Sequence, residues 1–93
     1  MEEEKILTKH PKGKKGVKIS KAKYEFIKSY ILDTLKSKKS ISYQDLNDQA
    51  IKELSPTFDG KVVWYIVTVK LDLEASNIIE RIPGKSPHEI RLT

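Results

Sequence analysis

Apolar residues at helical spacing predict an amphipathic helix that begins near Ser20. The Ser20 hydroxyl can accept a hydrogen bond from a free backbone N–H of the first turn, and Ile19 and Tyr24 are placed to form a hydrophobic staple across it. We expect the helix to end in the stretch 37–40, which holds only lysine and serine. Its buried stripe follows the i, i+3/i+4, i+7 pattern and consists of Tyr24, Ile27, Ile31 and Leu35.

A second helix is predicted to begin with the same kind of cap. Ser42 can accept the N-terminal hydrogen bond, and Asp45 adds a negative charge in the first turn, where the helix dipole favours it. Residues 40–41, just before this cap, can add one or two positions to a small sheet. The helix should end at Ser55-Pro56, because the residue before a proline resists helical geometry. Its buried stripe consists of Leu46, Ala50, Ile51 and Leu54.

The segment 58–77 fits two patterns. As a strand, it has apolar residues at every odd position from Val63 to Ala75 and is rich in β-branched and aromatic residues. As a helix, it has Asp59 as its cap, Asn77 as a left-handed stop and a tight apolar stripe. A strand of about 15 residues would exceed the usual 3–10, so we favour the helix. The helical stripe consists of Val62, Ile66, Val69 and Leu73.

The C-terminal residues have the pattern of a β-hairpin. Residues 79–82 and 88–92 are the two predicted strands, and the turn-forming residues 83–87 join them. Side chains alternate between the two faces of a strand, so one set should close onto the helices and the other should point away. The first set contains Ile90 and Leu92, and the second contains Arg81 and Arg91.

Positive charge is concentrated near the N-terminus. The net charge is +5, and the segment from Lys9 to Lys23 contains seven lysines and no acid. Residues 1–19 show no helical period, so we expect an extended arm or a disordered leader. Such a patch attracts polyanions through counterion release, although a lysine-rich leader can also serve only to keep a small protein in solution. The apolar residues that could attach the arm to the body are Ile6, Leu7, Val17 and Ile19.

The stretch from Thr68 to Arg81 resembles the end of a winged-helix recognition helix as it enters the wing. In that superfamily a leucine and a small C-cap residue are followed by two apolar residues, an acid and a basic residue. The matching positions are Leu73, Asn77, Ile78-Ile79, Glu80 and Arg81. The resemblance implies an α+β fold over residues 20–93, with three helices and a small antiparallel sheet that ends in a C-terminal β-hairpin wing, preceded by a basic arm, 1–19.

The chain is also similar to a small group of uncharacterised bacterial proteins, which implies no activity. The residues that carry this similarity are His10-Pro11, Gly16, Lys23-Tyr24, Trp64-Tyr65 and the run from Val69 to Glu74.

The winged-helix resemblance implies a recognition helix over about residues 60–76 and a wing tip near Lys85. The N-terminal half of such a helix enters the DNA major groove, and Lys70 would lie further along it. On this helix, no arginine, asparagine or glutamine precedes Asn77 to make a bidentate base contact, and Asp72 would repel phosphates. We therefore expect a small DNA-binding protein, a transcription regulator at most, that makes mainly non-specific phosphate contacts. The residues expected to contact nucleic acid are Lys12, Lys14, Lys15, Lys18, Lys61, Tyr65, Thr68, Lys85 and Arg91.

A second apolar line on the same predicted helix supports a different function. A helix that is apolar on two sides must be covered on both, by the N-terminal arm, by the hairpin or by a second subunit. The alternative is therefore a protein-interaction or homodimerisation module that does not bind DNA. The residues of this expected interface are Val63, Trp64, Val67 and Leu71.

No catalytic constellation is apparent in the sequence. The chain has no cysteine, and its only imidazoles, His10 and His88, lie far apart with no supporting motif, His88 being expected at the surface. The segment 13–16 lacks the spacing of a phosphate-binding loop, and the acids, Asp72 and Glu74 among them, are expected at caps or on the surface. We expect no enzyme activity, cofactor, metal, small-molecule substrate or membrane span. We also expect a cytoplasmic location, because the acidic N-terminus does not fit a targeting signal.

Overall fold

The computed structural model describes residues 4–84 and 88–93. Over these residues the protein is α+β, with three helices, a two-stranded antiparallel sheet and a three-stranded antiparallel sheet. Within the same residues, no helix is both long and apolar enough to cross a membrane. The elements in chain order are β1 Lys5–Leu7, β2 Lys18–Ser20, α1 Lys21–Lys38, β3 Ser40–Ser42, α2 Tyr43–Leu54, α3 Val62–Ala75, β4 Ile79–Ile82 and β5 Glu89–Leu92.

The first two helices begin and end where the sequence predicts. The Ser20 hydroxyl accepts a hydrogen bond from the backbone N–H of Lys23 at the start of α1, and Ser42 accepts one from Asp45 at the start of α2. Helix α1 ends before Lys39, whose left-handed backbone has φ 70°. Helix α2 ends at Leu54, before the serine-proline pair. The short strand β3 between the helices is also confirmed.

The segment 58–77 forms helix α3, and the extended alternative is wrong. Its four-residue apolar stripe is buried against both α1 and α2. A strand would place the two even-numbered and the two odd-numbered residues of this stripe on opposite faces. Asn77 has the predicted left-handed backbone, with φ 59°. The predicted cap is wrong, because α3 begins after Lys61 with no side-chain cap, while the Asp59 carboxylate lies 3.9 Å from the Lys23 ammonium.

The three-stranded sheet has the order β3-β5-β4. Ile41 and Ile90 are paired across it, and both are buried beneath the helices. Arg81 lies opposite Ile90, so the prediction that it points away from the helices is wrong. Its Nε instead reaches Glu74 of α3, 2.6 Å from Oε1. Arg91 does lie on the other face, opposite Glu80, and the loop residue Lys85 lies outside the described residues.

The core draws on all three helices and on the larger sheet. Because these side chains interlock, α3 is held with one face inward and the opposite face toward solvent. The core residues with no exposed surface are Ile27, Ile31, Leu46, Ala50, Ile66, Val69, Leu73 and Ile90.

The N-terminal segment forms a β-hairpin where the sequence predicts an extended arm or a disordered leader. Strands β1 and β2 pair with Ile6 opposite Ile19, and Ile19 is buried in the core with Ile6 packed against it. The other two apolar residues expected to attach the segment, Leu7 and Val17, are 61% and 41% exposed. At the base of the loop 8–17, the backbone N–H of Thr8 donates to the Val17 carbonyl at 2.9 Å. Two apolar anchors and the backbone pairing therefore order this segment.

We expect Gly16→Ala to disrupt the base of this loop. A Cβ at Gly16 would lie 1.7 Å from the Thr8 carbonyl oxygen, so the two backbones must separate. The expected loss in free energy of unfolding is about 1–3 kcal/mol, together with faster hydrogen exchange at the Thr8 and Val17 amides. Gly13→Ala is the control. It adds the same methyl group to the same loop in open space and costs only the left-handed backbone strain, about 1–2 kcal/mol. Unchanged exchange at both amides in Gly16→Ala would contradict this packing.

Candidate nucleic-acid interface

The hairpin loop 8–17, here called the lysine loop, lies against the side of α3. The backbone N–H of Lys9 donates to Asp72 Oδ1 at 2.8 Å. Residues at both ends of the loop also line a cleft of about 110 Å³ together with Thr68 and Leu71 of α3. The loop is therefore held in a defined position beside the solvent-facing side of the helix.

The predicted contact lysines of this region are exposed and unpaired. Lys12, Lys14, Lys15 and Lys18 have no carboxylate within 4 Å among the residues that the structure describes. The first three of these lysines lie in or directly after a turn at the tip of the loop, in which the backbone N–H of Gly13 donates to the carbonyl of His10. The structure thus presents a run of exposed positive charges that no described carboxylate neutralises.

The remaining predicted contact residues divide between two places. Lys61 is exposed immediately before α3, Tyr65 is half-buried in the first turns, and Thr68 borders the lysine loop. These three residues lie along one helix with the loop beside them. Arg91 lies apart from them on the outer face of the sheet, where its Nε is 2.6 Å from Glu80 Oε2.

Two charged residues of α3 are not on the surface, contrary to the sequence-based expectation. Lys70 is 1% exposed, and its Nζ lies 2.6 Å from Glu74 Oε2, so it is not available to a phosphate. Asp72 is 6% exposed and accepts hydrogen bonds from the Lys9 backbone and the Tyr24 hydroxyl, so it does not repel phosphates at the surface. Both carboxylates of α3 instead act as internal anchors, Asp72 for the lysine loop and Glu74 for Arg81.

Burial and pairing shift the pKa values of these groups. Desolvation lowers the pKa of Lys70. Burial opposes ionisation of Glu74, but hydrogen bonds from Lys70 and Arg81 outweigh it and lower the pKa of Glu74. Burial, with the nearby Asp72 carboxylate, raises the pKa of Tyr24, so this phenol stays a donor to Asp72. Glu74 therefore stays charged between two cations at neutral pH.

The second apolar line of α3 is covered over only part of its length. Leu71 is half-buried where the lysine loop crosses the helix, and Val67 is also half-buried. Val63 and Trp64, in the first turn, are 40% and 43% exposed. The loop therefore covers this line at Leu71, and the line is open at Val63 and Trp64.

A feature that the sequence predicts only in part lies at this open end. Four aromatic rings, here called the aromatic ladder, come from α1, from the connection between α2 and α3, and from α3 itself. Successive ring centroids are 5.9, 5.1 and 4.9 Å apart, and the Lys23 ammonium lies 6.0 and 5.5 Å from the second and third centroids. Its sequence signals are the adjacent Trp64 and Tyr65, for which a core or interface role is favoured over base stacking, and the position of Phe26 beside the buried stripe of α1. In order, the ladder is Phe26, Phe58, Tyr65 and Trp64.

The fold and this surface describe a small α+β protein with a basic loop and an aromatic patch along one side of a helix. The chain belongs to the family of unknown function DUF6958, whose match covers residues 5–90. No curated protein and no solved structure matches the chain. The matched residues span the lysine loop, the aromatic ladder and the buried charges of α3.

We expect Glu74→Gln to destabilise the protein by roughly 3–5 kcal/mol, because it leaves the Lys70 ammonium buried without a countercharge. The double variant Lys70→Met/Glu74→Gln buries no charge and should recover part of that loss. Glu80→Gln is the matched control, since it breaks a pair that is about half exposed and should cost at most about 1 kcal/mol. Urea denaturation measures all three. Equal losses in free energy of unfolding for Glu74→Gln and Glu80→Gln would show that the buried pair contributes no more to stability than the exposed pair.

Stability should also fall as the pH drops through about 6.5, the ordinary pKa of histidine. Burial lowers the pKa of His88 in the folded protein, and the positive charges of Lys70 and Arg81 lower it further. Over that range the unfolded chain binds more protons than the folded protein, so acid favours unfolding. In His88→Phe, which keeps a ring to stack on Tyr43, this decrease should be absent.

Protonation of Glu74 should destabilise both the unmodified protein and His88→Phe at lower pH. Its lowered folded pKa gives stability that is present above about 4.3 and is lost as the pH falls through the folded value. Free energies of unfolding at about pH 7.5, 5.0 and 3.0 separate the two steps, because the His88 step is complete near pH 5 and the Glu74 step lies below about 4.3. Parallel curves for the two proteins above about pH 5 would contradict the role given to His88.

Proposed function

We propose that this protein binds nucleic acid, mainly through non-specific contacts between the lysine loop and backbone phosphates. The observation that carries the proposal is the position of the loop, whose lysines are exposed and unpaired by acids within the described residues and are held beside the solvent-facing side of α3. Lysine is a flexible point charge that suits phosphate contact without base reading. Counterion release from such a cluster supplies affinity that depends on salt.

We further propose that the fold is a winged helix, with α3 in the place of the recognition helix and the β4–β5 hairpin in the place of the wing. The element order supports this, since a short strand lies between α1 and α2 and a two-stranded hairpin follows α3 directly. Sequence-specific reading by α3 is not part of the proposal. The helix has no arginine, asparagine or glutamine, and its lysine is buried in an ion pair.

Lysine substitutions in the loop should weaken binding and flatten its salt dependence. Fluorescence anisotropy with a labelled random duplex of about 20 base pairs should give a Kd of about 10⁻⁴–10⁻⁶ M near physiological salt, and tighter binding at about 50 mM. In Lys12→Ala/Lys14→Ala/Lys15→Ala, the slope of log K against log salt should fall by about 0.9 for each phosphate that the variant no longer neutralises.

The matched control is Lys28→Ala/Lys36→Ala/Lys52→Ala, which removes the same charge from α1 and α2. It should keep the wild-type salt slope, because these positions lie outside the loop and α3. If the two triple variants lose equal affinity, net charge alone drives binding and the loop is not the site. No binding at about 50 mM salt would overturn the proposal.

A second candidate function is self-association through the open end of α3. It is favoured by the exposure of Val63 and Trp64, two adjacent large apolar side chains. Light scattering distinguishes the candidates. A dimeric mass that becomes monomeric in Val63→Asp, in a protein that does not bind duplex, would support the interaction module.

A further inference from the structure

We propose that the aromatic ladder stacks unpaired bases, so that single-stranded nucleic acid is the preferred ligand of this protein. The inference rests on the proposed function and adds the class of nucleic acid to it. Proteins that bind single strands without sequence preference combine a positively charged path for the backbone with aromatic rings on which bases stack. Both parts are present on one surface here.

The ladder offers exposed ring surface on a fixed support. Phe26 and Trp64, the outer members, are 48% and 43% exposed, while the inner rings of Phe58 and Tyr65 are half-buried and packed against the core. An open cleft of about 350 Å³ runs beside Phe26 and Phe58, within the size range of pockets that hold small ligands. The outer rings are therefore accessible and the inner rings hold them in place.

The backbone at Gly60 helps to hold the inner rings. Its φ of +139° is a conformation that other residues rarely adopt, and an added Cβ would meet the Tyr65 ring at 2.8 Å. The connection into α3 thus depends on glycine to let Phe58 and Tyr65 approach edge to face. This close approach brings a ring from outside α3 into line with the two rings on it.

Charge at the ladder suits a polyanion whose bases lie on the rings. The Lys23 ammonium lies over Phe58 and Tyr65, and Lys61 is exposed one turn before Tyr65. Asp59 is the opposing charge, fully exposed and 3.9 Å from Lys23. A pair this exposed is weak, so a phosphate can compete for Lys23.

The ladder is continuous with the lysine loop along α3. Trp64 lies one helical turn before Thr68, and Thr68 lines the cleft under the loop. The solvent-facing residues between ladder and loop carry no acid, and the 14-residue helix is about 21 Å long. A single strand can therefore place bases on the rings while its phosphates meet the loop lysines. A duplex keeps its bases stacked inside and meets only the lysines. The ladder therefore adds affinity for single strands and not for duplexes.

The test uses Trp64, the only tryptophan of the chain, as a reporter within the ladder. A thymine oligonucleotide of about 12 nucleotides should quench its fluorescence, whereas a duplex at equal phosphate concentration should leave it nearly unchanged. The single strand should also bind at least about fivefold more tightly by anisotropy at about 50 mM salt. Asp59→Asn should strengthen single-strand binding about twofold, since it frees Lys23 and removes a repelling charge.

Phe26→Ala removes an exposed ring and should weaken single-strand binding about 5- to 10-fold while leaving duplex binding unchanged. Ile51→Ala is the matched control and should change neither affinity. Ile51 lies on α2 outside the ladder and, contrary to its predicted place in the buried stripe of that helix, is 44% exposed. The lysine-loop triple variant should weaken the binding of both the single strand and the duplex. The tryptophan signal of the unmodified protein tests the stacking without any substitution.

The outcomes separate this inference from the function on which it rests. Equal affinities for single strand and duplex, with no tryptophan quenching and no effect of Phe26→Ala, would overturn the stacking surface and leave phosphate binding intact. Absence of binding to either ligand at about 50 mM salt would overturn both. A dimer that Phe26→Ala or Trp64→Ala converts to monomer, with no change in nucleic-acid affinity, would assign the ladder to a second copy of the chain and overturn the inference.

Discussion

The burial of one face of α3 is the constraint on which the rest of this structure depends. Its stripe of four apolar side chains is enclosed by α1 and α2, and its C-terminal end leads directly into β4. Because this face is fixed, the positions of all other α3 side chains follow from the helical period. The aromatic ladder and the lysine loop lie toward opposite ends of its solvent-facing side, and β4 packs against the helix as well.

Two buried carboxylates make α3 a junction between distant segments. Asp72 holds the backbone of the lysine loop and the hydroxyl of Tyr24, and Glu74 holds Lys70 and Arg81. A buried charge is costly unless it is paired and hydrogen-bonded, so each carboxylate fixes the position of its partners. The N-terminal hairpin is therefore a part of the folded body, and its position relative to α3 is specified.

This arrangement separates the charges that hold the structure from those that face solvent. Arg81, Arg91 and the α3 residue Lys70 are paired with carboxylates, whereas the lysines of the loop have no such partner among the described residues. Arg81 and Arg91, the residues with the geometry for reading bases, are thus about half exposed and each paired with a carboxylate, and those left over are flexible point charges. This division supports the proposed binding through charge and stacking rather than sequence-specific recognition.

The local pattern of residues was enough to predict the helices, the short strand β3, the C-terminal hairpin and the left-handed turn at Asn77. Caps and amphipathic stripes act over a few residues, so they can be read from neighbouring positions. Asp59 shows the limit of such reasoning, because its spacing suits a cap but its carboxylate lies near Lys23 of another helix.

Only the tertiary structure decided the position of the lysine loop, the direction of Arg81 and the assembly of the aromatic ladder. Asp72 meets Tyr24 and Lys9 across separations of 48 and 63 residues, and Phe26 meets Phe58 from a different element. The positions of these polar and aromatic residues do not repeat along the sequence with a period that would identify their partners. Their contacts arise when the packing of α3 brings distant segments together, so the site depends on the core rather than on any motif.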